Sequence, residues 1–217
     1  MAILAGGLVL GVGGAATVAV WTDTEWVFAG NGAGTGPGVG TSTFEVVQNT
    51  DSPTFASAFD SEPDNPGGAL SFAPNALAMT PGDVVLASVA LKTTPASIAG
   101  TLQLQQAVNA DPLATPATDG PGDPLWAALH LSIGVSSTNV ACTEASFTTP
   151  PVGFTVILTD QTGLSGPGAI AGTQAVAAAG GTTQYYCFMV TLPLGASDTL
   201  QGHTVAPAWL FDGTSTP

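Results

Sequence analysis

The chain has 217 residues, of which 45% are hydrophobic and only 7% are charged. That length and apolar content suffice for one packed domain and argue against wholesale disorder. Lys92 is the single basic residue against 15 Asp and Glu, which gives a formal net charge of −14. Nucleic acid is therefore excluded as a partner, and so is an anionic membrane surface, because both are bound through basic side chains.

The first 20 residues form an apolar, uncharged run rich in Gly and Ala. Its glycines make a poor membrane-spanning helix, whereas the small residues Thr17 and Ala19 are typical of a signal-peptide cleavage site. We therefore expect residues 1–19 to be a signal peptide cut between Ala19 and Val20, and the mature protein to be secreted without a stable membrane span. A start further upstream accounts for the missing basic residues of such a peptide; an uncleaved membrane anchor is the alternative.

Residues 20–40 combine an extended segment with a linker. Trp, Val, Phe and Thr in Val20–Phe28 favour a strand. Glycine then occupies every even position from Gly30 to Gly40, which is typical of a flexible linker. The run does not contain G-x-G-x-x-G, so it gives no support to a dinucleotide site.

From residue 41 onward the sequence reads as short strands separated by Gly, Pro, Asn and Asp. Leu102 and Leu104 alternate with polar residues within Ala99–Ala107, and Leu129, Leu131, Ile133 and Val135 alternate within Ala128–Ser136. This pattern predicts an all-β domain over 41–217, a jelly-roll-like β-sandwich of about eight short strands. Further strands are predicted at Phe44–Val47, Ala69–Phe72, Val84–Lys92, Phe154–Thr159, Tyr185–Leu192 and Thr204–Phe211, while Ile170–Ala179 is ambiguous.

Cys142 and Cys187 are the two cysteines. They are compatible with one disulfide or with a pair of buried free thiols, and the oxidising compartment expected for an exported protein favours the disulfide. A bridge across a loop of this length adds roughly 3–4 kcal/mol of stability on the chain-entropy model.

No pattern in the sequence points to catalysis, a cofactor or a metal ion. His130 and His203 lack the H-E-x-x-H arrangement and are expected to face solvent, and Ser165 lies in G-L-S-G-P, which departs from the nucleophile elbow. The acids Asp60, Glu62 and Asp64 alternate as in a calcium loop, but without its turn glycine and bidentate Glu. We therefore expect a solvated acidic loop and no enzymatic activity.

Three segments resemble the TasA/camelysin family, whose members are exported with SipW-type signal peptides. They are Thr17–Asp23, Leu77–Asp83 leading into Val84–Lys92, and Leu200–Gly202 leading into Thr204–Phe211. The scarcity of lysine and the cysteine pair are more similar to actinobacterial members than to the lysine-rich matrix protein of the family. The resemblance implies a jelly-roll subunit of a surface or biofilm-matrix fibre.

The same resemblance implies head-to-tail self-assembly by donor-strand exchange of the mature N-terminus, with Trp21, Trp26 and Phe28 as anchors. The alternatives are that this segment pairs with its own domain or stays loose. A monomeric surface adhesion or binding module is the second hypothesis for function, and a secreted hydrolase is the third. The metalloprotease activity of camelysin-type members is not expected here, since the chain has no recognisable set of zinc ligands.

Overall fold

The computed structural model describes residues 38–113, 118–165 and 168–216, together with Glu25 and Ala29. Contacts divide the chain into two units, Met1–Thr41 and Ser42–Pro217. The β-sheets belong to the second unit. In the first, the backbone N–H of Gly38 donates to the carbonyl of Ala29 at 2.9 Å.

Eight strands and two short helices make up the regular structure of the described residues. The strands are β1 Val46–Asn49, β2 Val84–Thr93, β3 Gly100–Asn109, β4 His130–Ser136, β5 Phe154–Thr162, β6 Gln174–Val176, β7 Gln184–Thr191 and β8 Pro207–Ser215. The helices are α1 Pro124–Ala128 and α2 Glu144–Thr148, with 3-10 turns at Ala76–Ala78, Ala178–Gly180 and Asp198–Leu200.

The strands form two antiparallel sheets. One has five strands in the order β1-β2-β7-β4-β5, and the other has three in the order β6-β3-β8. The prediction of an all-β sandwich of about eight strands is confirmed. The Ala69–Phe72 strand is wrong, since only Ala73 bridges to Leu86 there, and the eighth strand is β6 within the ambiguous alanine-rich segment.

The turn before β2 shows how the sequence sets a strand boundary. Gly82 adopts a φ of 100°, a conformation that favours glycine. The Asp83 carboxylate accepts hydrogen bonds from the backbone N–H of Thr80 at 2.7 Å and from its hydroxyl at 3.0 Å. These hydrogen bonds therefore close the P-G-D turn, and the chain continues directly into the buried ten-residue strand β2.

The core lies between the inner faces of the two sheets. Cross-strand neighbours such as Val85 and Val190, or Ile133 and Phe188, place apolar side chains on the inner face of the five-stranded sheet. Leu102 and Leu104 of β3 oppose them and are almost fully buried. Burial of each such side chain contributes about 1.5–3 kcal/mol before the entropy cost. The predicted inward positions of β3 and β4 are confirmed.

The outer face of the five-stranded sheet is covered by loops and α2. The predicted disulfide is present and joins Cys142, in the loop before α2, to Cys187 on β7, with a Cα–Cα distance of 5.4 Å. The Phe154 ring lies over Gly134 and packs edge-on against Phe147 of α2 at 5.6 Å. In the described part of the chain, no helix has both the length and the apolar character that crossing a membrane requires.

Candidate functional site

An apolar cavity of about 790 Å³ opens between the two sheets. Its floor is the inner face of the five-stranded sheet, including Val89, Phe188 and Val190. Trp209 and Phe211 of β8 form one wall. A cavity of this size between packed sheets is unusual, because protein interiors are filled to the density of organic crystals.

Strand β8 stands at the edge of the three-stranded sheet. It pairs with β3 from Asn109↔Pro207 to Gly100↔Ser215, and no other described strand pairs with its second edge. An edge strand presents unpaired backbone N–H and C=O groups to any extended chain that reaches it. The free edge of β8 runs beside the cavity. An extended chain that bound there could therefore pair its backbone with β8 and bury apolar side chains in the cavity.

The opposite wall comes from residues 62–79, part of the long segment 50–83 that connects β1 to β2 and has no regular structure except the 3-10 turn Ala76–Ala78. Most of its residues from 60 to 80 are exposed, but Leu70, Phe72 and Met79 are partly buried and pack against the core. The Phe72 and Trp209 ring centroids are 6.2 Å apart. Such long loops without regular structure are uncommon in compact domains and are often functional.

The two ends of the cavity differ. Near the C-terminal end of β8, Phe44 fills the space beside Gly213, where a Cβ would meet its ring at 3.0 Å. At the other end, large apolar side chains reach solvent and form a rim. Leu77, Val108, Leu113 and Leu210 line the cavity and are 93%, 43%, 75% and 58% exposed. An exposed apolar rim around a cavity is typical of a surface that another chain or ligand covers.

The charges at the mouth are negative. Glu62 and Asp64 of the predicted acidic loop belong to the lining, which contains no Lys or Arg. Both side chains are exposed. No three His, Cys, Asp or Glu side chains in the described residues are grouped closely enough to hold a metal ion. The mouth therefore disfavours an acidic ligand and gives an apolar one no electrostatic obstacle.

The two histidines are paired with aspartates, which corrects the prediction that they simply face solvent. The Nδ1 atom of His130 lies 2.7 Å from Asp160, and that of His203 lies 2.7 Å from Asp123. The two imidazole side chains are only 25% and 33% exposed. These partners are 30 and 80 residues away in sequence, so no local pattern could have indicated them.

The Asp123–His203 pair supports the wall of the cavity. Asp123 is 3% exposed and caps α1 by accepting a hydrogen bond from the N–H of Leu125 at 2.7 Å. His203 lies in the turn that leads to Val205 and Ala206, both of which line the cavity. Because a buried carboxylate needs partners, this pair ties the start of β8 to α1.

Ser165 has a structural role. Its hydroxyl accepts a hydrogen bond from the indole N–H of Trp126 at 2.7 Å, and Trp126 is 2% exposed. Ser165 itself follows β5 in an irregular stretch.

Five of the predicted site residues, Ala19, Val20, Trp21, Trp26 and Phe28, lie outside the described residues, so cleavage and anchoring stay predictions.

Sequence reasoning missed the cavity and its rim. The available signal was weak: Leu77 and Leu113 lie in stretches without strict alternation, and Leu210 stands between Trp209 and Phe211 in a continuous apolar run. Compared with protein-family models and with curated proteins, the chain matches none of them.

Proposed function

We propose that this protein is an extracellular structural subunit of a surface or matrix fibre, assembled when an extended segment of one copy fills the groove beside β8 of the next. The observation that carries the proposal is the combination of a free β8 edge with an open apolar cavity. Strand addition to such an edge satisfies backbone groups and buries alternate side chains together.

The chain itself contains a suitable occupant. Val20–Ala29 has two Trp, one Phe and two Val among its ten residues, and as a strand it is about 33 Å long. The glycine linker that follows reaches at most about 36–40 Å. Insertion of this segment into a neighbour is a head-to-tail contact, which extends into a filament when it does not close.

The cavity also favours a second candidate, a monomeric secreted or surface binding module for an apolar ligand. Its volume lies within the usual range of about 300–1,000 Å³ for small-molecule sites. A hydrolase has less support, because the described histidines and Ser165 are engaged in structural pairs rather than grouped around a nucleophile.

The direct test compares residues 20–217 with a version that starts at Thr41, both checked for folding by circular dichroism. Negative-stain microscopy should show filaments of the longer protein only. If both folded proteins remain monomeric at every salt concentration, the fibre proposal is wrong and the binding module takes its place.

A rim substitution tests the role of the groove in the intact mature chain. Leu77→Asp puts a carboxylate on the rim of the cavity, at a side chain that is 93% exposed, and we expect it to reduce filament yield at least tenfold with little change in folding stability. Val152→Asp is the matched control, since Val152 is 99% exposed and does not line the cavity. Equal filament yields for the two variants, measured by sedimentation, would contradict assembly through this groove.

A further inference from the structure

The shape of the groove and the order of residues in Val20–Ala29 carry an inference about direction, which rests on the proposed function. In a strand, successive side chains point to opposite faces. Val20, Thr22, Thr24, Trp26 and Phe28 therefore share one face, which has no charge, while Asp23 and Glu25 share the other with Trp21 and Val27. The uncharged face is the one suited to an apolar cavity.

The uncharged face is graded in size along the segment. The smaller residues Val20, Thr22 and Thr24 come first, and the large residues Trp26 and Phe28 come last. Of the three anchors named from the sequence, Trp26 and Phe28 lie on this face and Trp21 lies on the other. A receiving groove must therefore be narrow at one end and wide at the other.

The groove has this gradient along β8. The cavity is lined by residues 205–211, at the N-terminal end of the strand. Beyond Phe211 the space beside Gly213 is occupied by the Phe44 ring, 3.0 Å from where a Cβ would stand. The wide end is therefore at Pro207 and the narrow end is at Ser215.

We propose that the segment from a second copy enters antiparallel to β8, with Trp26 and Phe28 in the wide end and Thr22 and Thr24 at the narrow end. Asp23 and Glu25 then face solvent. The glycine linker leaves at the open, apolar-rimmed end, where it has space to run to its own domain. A parallel segment places its two largest side chains against the end that Phe44 already fills.

Direction is tested with four single-cysteine variants of the mature chain, all at positions whose side chains reach solvent in the proposed arrangement. Asp23→Cys and Val27→Cys label the incoming segment, and Leu210→Cys and Thr214→Cys label β8. Each segment variant is mixed with each β8 variant, allowed to assemble, and treated with a short bismaleimide. The native cysteines are held in their disulfide and do not react, so a dimer on a denaturing gel reports a crosslink between two copies.

The antiparallel arrangement predicts dimers for Val27 with Leu210 and for Asp23 with Thr214, at least fivefold above the other two mixtures. The wrong pairs differ by four residues, about 13 Å along a strand. A register shift of two residues brings only one of the two wrong pairs closer, so a parallel segment is indicated only when both wrong pairs give the stronger dimers. Dimers for Asp23 with Leu210 and for Val27 with Thr214 overturn the proposal in favour of a parallel segment. Filaments without any crosslink show that the segment lies elsewhere, which overturns the direction but not the fibre; absence of filaments in every mixture, the unsubstituted chain included, overturns both.

Discussion

At the residue scale, Gly134 shows how one missing side chain leaves room for an aromatic ring from the neighbouring strand on the outer face of a sheet. The Phe154 ring lies so close to this glycine that an added Cβ would stand 2.0 Å from its nearest carbon. The same ring packs edge-on against Phe147, so its movement would disturb the contact with α2. The aromatic cover on the outer face therefore depends on glycine at this position of β4.

Gly134→Ala should destabilise the protein by about 1–3 kcal/mol or more, because overpacking forces the Phe154 ring out of place. The midpoint and slope of urea unfolding measure the change. Gly195→Ala is the control, since nothing lies within 4 Å of a Cβ added there. If the two variants unfold at the same urea concentration, the close packing of Phe154 on β4 is wrong.

Tyr186 is the clearest case of a titratable group displaced by its surroundings. Its side chain is 1% exposed, its hydroxyl has no hydrogen-bond partner among the described residues, and burial raises its pKa far above that of an ordinary tyrosine. In the unfolded chain the group loses its proton above about pH 10, while the folded chain keeps it. The stability linked to Tyr186 is therefore complete below pH 10 and is lost as the pH rises further.

Tyr186→Phe should remove this alkaline loss, which amounts to at most about 1.4 kcal/mol per pH unit above pH 10. Near neutral pH the variant should be as stable as the parent or slightly more stable, because an unpaired buried hydroxyl is removed. Unfolding free energies measured from pH 8 to pH 11 decide this. A parallel decline of both proteins above pH 10 would show that Tyr186 does not carry the effect.

At the element scale, the disulfide holds α2 and its flanking loop onto the outer face of the five-stranded sheet. The two cysteines are 45 residues apart, and a closed loop of that length reduces the entropy of the unfolded chain. Cys187 is 3% exposed, so the bridge ends within the packed sheet rather than at a loop tip.

The double substitution Cys142→Ala with Cys187→Ala should lower the free energy of unfolding by about 2–4 kcal/mol. Treatment of the parent protein with dithiothreitol should lower its thermal midpoint similarly, whereas the variant should not respond to the reductant. An unchanged midpoint in both experiments would mean that the bridge does not contribute to stability.

Strand boundaries show the limits of local patterns at the same scale. The sequence predicts a strand at Thr204–Phe211, but β8 runs from Pro207 to Ser215. Its second half, with Asp212 and Gly213, has little preference for strands, yet it pairs with β3 because the ladder supplies its backbone hydrogen bonds. Leu70 and Phe72 alternate correctly and turn inward, but their stretch pairs only at Ala73 and forms no strand.

At the scale of the whole molecule, charge opposes association. The net charge is −14, and Glu62 and Asp64 stand at the mouth of the cavity that we propose as the assembly site. Two copies therefore repel each other at low ionic strength. The range of that repulsion falls from about 30 Å at 0.01 M salt to about 3 Å at 1 M.

We expect filament formation by residues 20–217 to increase with NaCl concentration over this range, as measured by light scattering. Glu62→Gln should weaken the salt dependence, because it removes a charge at the mouth. Glu144→Gln removes an exposed charge on α2, outside the cavity lining, and should change the response less. Filament formation that decreases with salt would show that attraction between charges, not repulsion, controls assembly.

The sequence by itself determined the β class, the buried faces of β3 and β4, and the turn before β2, because side-chain alternation and turn chemistry act over a few residues. Only the tertiary structure decided which strand stands at an edge, since β8 meets β3 about a hundred residues away in the chain. The groove, its rim and the aspartate partners of the histidines follow from that long-range pairing. A cavity is a space between elements, and its walls have no common pattern in the sequence.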